Sequence, residues 1–359
     1  MAGRSSGGAP PRGRKRLADQ FLLDGVAPKT PVGRAAGLIL IERARPLFAL
    51  EAKAVSGEDM DAVHDMRVSS RRVREALALF APVYPAKDLR RWQKALRRVT
   101  ASLGAVRDAD VFIDAFTALA ASSRSDEQRV ALAYLIGLRQ GERTVRLERM
   151  ERRISRLDLA RSRKDFARFA RRPRKVVLAR APLAELAARA IPERAATAFG
   201  FLGAALTPQN VESQHAMRIA MKRLRYAMES LACVLGRDFD PLYRAARSFQ
   251  DALGELHDVD VFVGAVRAAR SDPRAAAAGV SEAGLDGVLA RLAAERRRRF
   301  AAFRTLAGRQ REATTRARLE KALAAALTAP VEAESAVAEV PAAEPPSAEV
   351  PAAPPEAAS

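Results

Sequence analysis

The chain has 359 residues, of which 48% are hydrophobic, and its 62 lysines and arginines against 42 aspartates and glutamates give a formal charge of +20. Length and apolar content suffice for two domains and a real core, which excludes a wholly disordered chain, and the charge calls for a polyanionic partner. No apolar run reaches membrane-spanning length, no signal-peptide core follows the basic N-terminus, and one cysteine (Cys233) with three histidines (His64, His215, His257) is too little for a zinc cluster or a disulfide.

These exclusions predict a cytoplasmic protein with no membrane segment, no metal and no cofactor. Aromatic residues make up only 5% of the chain, which disfavours recognition of bases by stacking.

In chain order, residues 1–32 open with Met-Ala-Gly-Arg and a Gly/Pro/Ser/Arg mixture, read as a disordered basic arm. From 33 to 312, Ala, Leu, Arg and Glu dominate and apolar residues recur every three or four positions, so this body is all-α. Pro82, Pro85, Gly104, Pro182, Gly236 and Pro241 are expected at helix ends, whereas Pro46 and Pro192 fall inside helical patterns and are expected to kink them. Residues 329–359 hold six glutamates among Pro, Ala and Val, with neither Lys nor Arg, and read as a disordered acidic tail.

The body contains an internal duplication. His64-Asp-Met-Arg67 recurs 151 residues later as His215-Ala-Met-Arg218, and the same offset matches Glu42-Arg43-Ala44 to Glu193-Arg194-Ala195 and Arg71-Arg72-Val73-Arg74 to Lys222-Arg223-Leu224-Arg225. One residue is then lost, and Leu103-Gly104-Ala-Val-Arg-Asp108-Ala-Asp110 meets Leu253-Gly254-Glu-Leu-His-Asp258-Val-Asp260. The body is therefore two copies of one helical unit, about 33–170 and 183–312.

On a helix, His64, Arg67, Arg71 and Arg74 share an arc of roughly 80°, with Met66, Val73, Leu77 and Phe80 roughly opposite. The second copy repeats both arcs with His215, Arg218, Lys222 and Arg225 against Met217, Leu224, Met228 and Leu231. Cations one turn apart repel, so such a stripe needs an anion or acidic neighbours. Further cations recur in register: Arg43 with Arg194, Lys94 and Arg97 with Arg244 and Arg247, and Arg143 and Arg146 with Arg296 and Arg299. Together they point to helices presenting charge to one shared groove, where arginine forks and a lysine suit phosphate oxygens.

The two repeated histidines admit two readings of equal weight, a structural hydrogen bond across the bundle or a donor to an anion; the adjacent arginines disfavour metal binding. The Leu-Gly-x-x-(Arg/His)-Asp-x-Asp element reads as a helix ending at Gly104 or Gly254, with Asp108 or Asp258 capping the next. Cys233 reads as a small core residue.

These paired His-x-x-Arg helices, with Arg71 and Arg74 in one copy and Lys222 and Arg225 in the other, resemble the CHAD family, the conserved histidine α-helical domain, over residues 33–312. The resemblance implies two tandem helical bundles, related by pseudo-twofold symmetry around a central basic cavity or pore that binds inorganic polyphosphate, and association with polyphosphate granules. Some family members are fused to triphosphate tunnel enzymes, and no such enzyme domain is expected in the flanks here. Lys222 for Arg71 and His257 for Arg107 depart from an even pattern and are expected to preserve phosphate contact only in part. The competing reading is a general, non-specific nucleic-acid binder, although no recognition-helix motif is visible. A phosphoryl-transfer enzyme ranks last, because no Walker-type loop or magnesium-holding carboxylate set appears.

Overall fold

The computed structural model describes residues 16–56, 59–156, 159–310 and 312–328. The acidic tail at 329–359 and the first 15 residues of the basic arm lie outside the described residues.

Helices carry the described chain, and its one β-type contact is an isolated bridge. The first copy comprises α1 (Val32–Ala49), α2 (Glu51–Ser56), α3 (Met60–Leu79), α4 (Ala86–Ala121), α5 (Asp126–Ser155) and α6 (Leu159–Ala170). A short α7 (Val177–Arg180) leads into the second: α8 (Leu183–Gly200), α9 (Leu202–Ala205), α10 (Val211–Ser230), α11 (Ala232–Leu235), α12 (Phe239–Arg270), α13 (Pro273–Ala277), α14 (Glu282–Arg309) and α15 (Glu312–Thr328). Equivalent side chains start equivalent helices. Asp59 accepts from the Ala62 amide at 2.9 Å to begin α3, and Asn210 accepts from the Ser213 amide at 3.0 Å to begin α10. Pro46 and Pro192 lie within α1 and α8, as their patterns predict.

The packing repeats with the sequence. In each copy the first long helix packs on the cation-bearing helix (α1 on α3, α8 on α10), which packs on a very long helix (α4, α12), which pairs with the next (α5, α14). The last helix returns to the first, α6 to α1 and α15 to α8. Between copies, α3 meets α10, α5 meets α14 and α1 meets α8. Each of these contacts joins a helix to its own counterpart, as a pseudo-twofold axis generates. The backbone repeats the relation: the Val32 amide donates to the Ala181 carbonyl and the Leu183 amide to the Thr30 carbonyl, both at 2.9 Å. Close approach of α5 and α14 depends on Gly284, where a Cβ would stand 2.5 Å from the Glu127 carbonyl oxygen.

The apolar arcs form the core. Met66, Val73, Leu77 and Phe80, and their counterparts Met217, Leu224, Met228 and Leu231, are all buried. A second apolar cluster joins the far ends of the long helices, where Phe262 meets the stacked Phe112 and Phe116 edge-on at 5.5 and 5.4 Å.

Two expected boundaries are corrected. Residues 16–31 do not continue the arm: Leu17–Gln20 forms a 3₁₀ turn, Ala18 and Phe21 are buried, and Phe21 lies 5.6 Å from both Phe239 and Tyr243. One aromatic side chain with a pocket to fill outweighs the composition around it. At the other end the helical body runs past 312, because α15 packs Leu319, Ala322, Leu323 and Ala326 into the core.

Candidate anion-binding site

Burying the apolar arcs turns the opposite arcs of α3 and α10 toward each other at their contact. Arg67 and Arg71 from one copy and Arg218 and Lys222 from the other act electrostatically on one another. Arg67 is 18% exposed and donates from Nη2 to Asp108 Oδ1 at 2.9 Å. Its guanidinium lies over α4 at Gly104, where a Cβ would stand 3.5 Å from Nε, and that Nε is buried without a hydrogen-bond partner. Arg71, Arg218 and Lys222 make no hydrogen bond or ion pair with any described residue. Burial followed by the charges of Arg71, Arg218, Arg67 and Arg225 pushes the Lys222 ammonium down to about 7. Burial first, then like-charge neighbours, lowers Arg71; Arg67 and Arg218 are lowered by burial too, against the pull of Asp108 and Asp258 respectively. This is a concentration of partly desolvated positive charge with one direct carboxylate partner.

The histidines differ between copies. His64 is exposed, and its proton affinity is lowered by desolvation and then by Arg107. In the second copy Arg107 is replaced by His257, whose Nδ1 lies 3.2 Å from His215 Nδ1. Burial and then Arg218 depress His257 to about 4, and burial lowers His215 as well, so near neutral pH both rings are uncharged and one donates to the other. His215 thus makes a hydrogen bond between α10 and α12 through one ring nitrogen. No group of three or more His, Cys, Asp or Glu able to hold a metal ion occurs among the described residues.

The Leu-Gly and Asp-x-Asp elements are not helix ends, which corrects the sequence reading. Gly104 and Asp108 sit mid-helix in α4, as Gly254 and Asp258 do in α12. The helices continue because Leu103, Val106 and Phe112, with Leu253, Leu256 and Phe262, keep one face buried across the glycine. The second aspartate of each pair instead accepts from the last long helix: Arg143 Nε to Asp110 at 2.6 Å, and Arg296 Nε to Asp260 at 2.5 Å. Arg296 also donates to the Pro208 carbonyl and to Gln214.

Other expected cations fall into two groups. Arg146 donates to the Ala105 carbonyl and Glu142, Arg299 to Glu295 and Glu255, Arg244 to Asp240, and Arg247 pairs with Asp251. Arg43 and Arg225 are tied into a buried network around Glu229. Lys94 and Arg97 are exposed on α4, while Arg74 and Arg194 are half-buried. Sequence reasoning missed Glu229, Arg72 and Tyr243, which build that network, and Arg223, which faces Arg74. The signal was available in part: Glu229 is an acid one turn beyond Arg225, on the same arc of α10 as the cations.

A duplicated helical domain with the cations of both copies converging on one contact defines the class. The chain belongs to the CHAD domain family, whose model matches residues 38–267. Its fold is similar to the crystal structure of the CHAD domain from the plant Ricinus communis, with a TM-score of 0.64 at 22% identity, covering 84% of this chain and 99% of that one. PptA from Streptomyces chartreusis is similar with a TM-score of 0.56 at 18% identity, covering 77% of this chain and 99% of that one. No curated protein matches the chain. No helix among the described residues is long and apolar enough to cross a membrane.

Proposed function

We propose that this protein binds inorganic polyphosphate without altering it chemically and associates with polyphosphate granules in the cytoplasm. The observation that carries the reading is the set Arg71, Arg218 and Lys222, half-buried cations from both copies with no hydrogen bond or ion pair to a described residue. Gathering them costs stability, and a polyanion laid along the α3–α10 contact offsets that cost. A phosphate chain suits the site because it offers closely spaced oxygens and no bases, matching arginine forks without aromatic platforms. Membership of the CHAD domain family supports the same ligand.

Long-chain polyphosphate and duplex DNA, at equal charge concentration in about 150 mM salt, separate this from general nucleic-acid binding. Polyphosphate is expected to bind more tightly, and Arg218→Ala to weaken it about ten- to a hundredfold, the worth of a charge-assisted hydrogen bond or two. Equal binding of the two polymers, unaffected by Arg218→Ala, would favour the nucleic-acid reading instead.

A further inference from the structure

The offset relating the two copies also relates two sets of arginines flanking the α3–α10 contact. Arg74, Arg194 and Arg223 stand on one side, and Arg225, Arg43 and Arg72 are their counterparts on the other. The protein itself neutralises the second set. Arg72 Nε donates to Glu229 Oε2 at 2.8 Å, and Arg225 Nη1 to Glu229 Oε1 at 2.9 Å, with the carboxylate only 1% exposed. The Tyr243 hydroxyl donates to the same Oε1 at 3.0 Å, and Arg43 Nη2 donates to the Glu229 carbonyl at 2.7 Å. Over this network lies the N-terminal segment. The Phe21 ring faces the guanidinium carbons of Arg43 and Arg72 at 5.3 and 5.8 Å, and the Leu17 and Ala18 amides, each at 3.0 Å from Asp240, pin the segment down.

The first side has neither device. Ala78 stands where Glu229 would be, and Gln93 where Tyr243 would be. Here α3, α4, α8 and α10 enclose a groove of about 770 Å³ lined by Arg74, Arg97, Arg194 and Arg223, with Glu75 and Glu193 as its acids. Arg74, Arg97 and Arg223 make no hydrogen bond or ion pair with a described residue, and Arg194 donates only to the Ala190 carbonyl of its own helix, at 3.1 Å. Arg74 follows Arg71 by three residues on α3, so the groove continues the central cation stripe.

We infer that polyphosphate is held asymmetrically: the chain runs from the central cations into the groove at Arg74, Arg97, Arg194 and Arg223, and is excluded from the equivalent side by Glu229 and Phe21. This rests on the polyphosphate reading above and adds to it a direction and a footprint. A pseudo-symmetric site thereby becomes one-sided, with an internal carboxylate and an aromatic ring standing where phosphate would bind.

Two charge-matched double variants of the full chain test it. Arg97→Gln with Arg223→Gln removes two exposed cations from the groove; Arg34→Gln with Arg45→Gln removes two exposed cations from α1, beside the N-terminal segment. With long-chain polyphosphate, the groove pair is expected to lose at least about tenfold in affinity and to lower the slope of log K against log salt by about two. The α1 pair is expected to change affinity by less than about twofold, and melting curves confirm that both fold. Equal losses from the two pairs, or a greater loss from the α1 pair, overturn the asymmetry while leaving the polyphosphate reading intact if Arg218→Ala still weakens binding. Failure of the parent protein to prefer polyphosphate overturns both.

Discussion

Replacing Glu229 with alanine is expected to cost the fold about 3–5 kcal/mol, a drop in Tm of about 10 °C, and at the same time to raise affinity for polyphosphate. The side chain is nearly inaccessible and accepts from Arg72, Arg225 and Tyr243, while its carbonyl accepts from Arg43. Burial alone would lower Arg225, yet the carboxylate, with Tyr226 and Tyr243, raises it above its ordinary value. Deleting that carboxylate leaves two guanidinium groups in a desolvated site without their counter-charge, which costs far more than an exposed ion pair is worth. Glu229→Gln removes the charge and turns one of the two acceptor oxygens into an amide donor facing an arginine or tyrosine donor, so its cost should approach that of the alanine variant. The opposite signs are the diagnostic feature: polyphosphate should raise the Tm of Glu229→Ala by more than it raises that of the parent. A stability change below about 1 kcal/mol, read by denaturant unfolding, would mean that the network is hydrated and does not neutralise its arginines.

The fold was legible in the sequence because period and repetition act over short range. The arcs that place Met66, Val73, Leu77 and Phe80 opposite Arg67, Arg71 and Arg74 are fixed by helix geometry, and the structure buries each of those apolar residues. Duplication supplied what one helix cannot, since a stripe seen twice at one spacing is set by more than solubility. Where the reading failed, a local rule met a longer-range demand. Gly104 has the form of a helix stop, yet the buried faces on both sides of it hold α4 continuous, and the Arg67 guanidinium lies against the helix there. Phe21 stands in a chain segment of unpromising composition and packs on Phe239 and Tyr243, more than two hundred residues away, and against Arg43 and Arg72. Glu229 is the clearest case. Its partner Arg72 lies 157 residues earlier in the other copy, so nothing local shows that an acid on α10 cancels an arginine on α3. Matching the copies did carry the information, since Ala78 occupies the equivalent place, but the difference has meaning only once α3 and α10 are seen to touch.

Lys222→Met should stabilise the ligand-free protein while weakening its hold on polyphosphate and removing the pH dependence of binding. Arg71, Arg218, Arg67 and Arg225 surround the ammonium group, and His215 and His257 lie close enough to feel its charge. The folded lysine loses its proton near pH 7, whereas the unfolded one keeps it to about 10.5. Over that window the unfolded chain binds more protons, so the stability of the ligand-free protein rises with pH; below about 7 both states are charged and the full penalty applies. Methionine fills similar volume without that charge, and a gain of about 1–3 kcal/mol is expected near neutrality. A bound phosphate chain reverses the balance, because its oxygens favour the charged amine and raise its proton affinity. Binding then takes up a proton, and affinity should fall about tenfold or more between pH 6.5 and 8.5. In the ligand-free protein burial and the neighbouring cations lower both histidines, His257 to about 4. Lys222→Arg, charged throughout, should bind tightly with a flat profile, and Lys222→Met weakly with a flat profile. Calorimetry in buffers of different ionisation enthalpy measures the proton directly. If proton uptake persists in Lys222→Arg, the titrating group is another one, and the unpartnered lysine at the α3–α10 contact does not set how the site responds to pH.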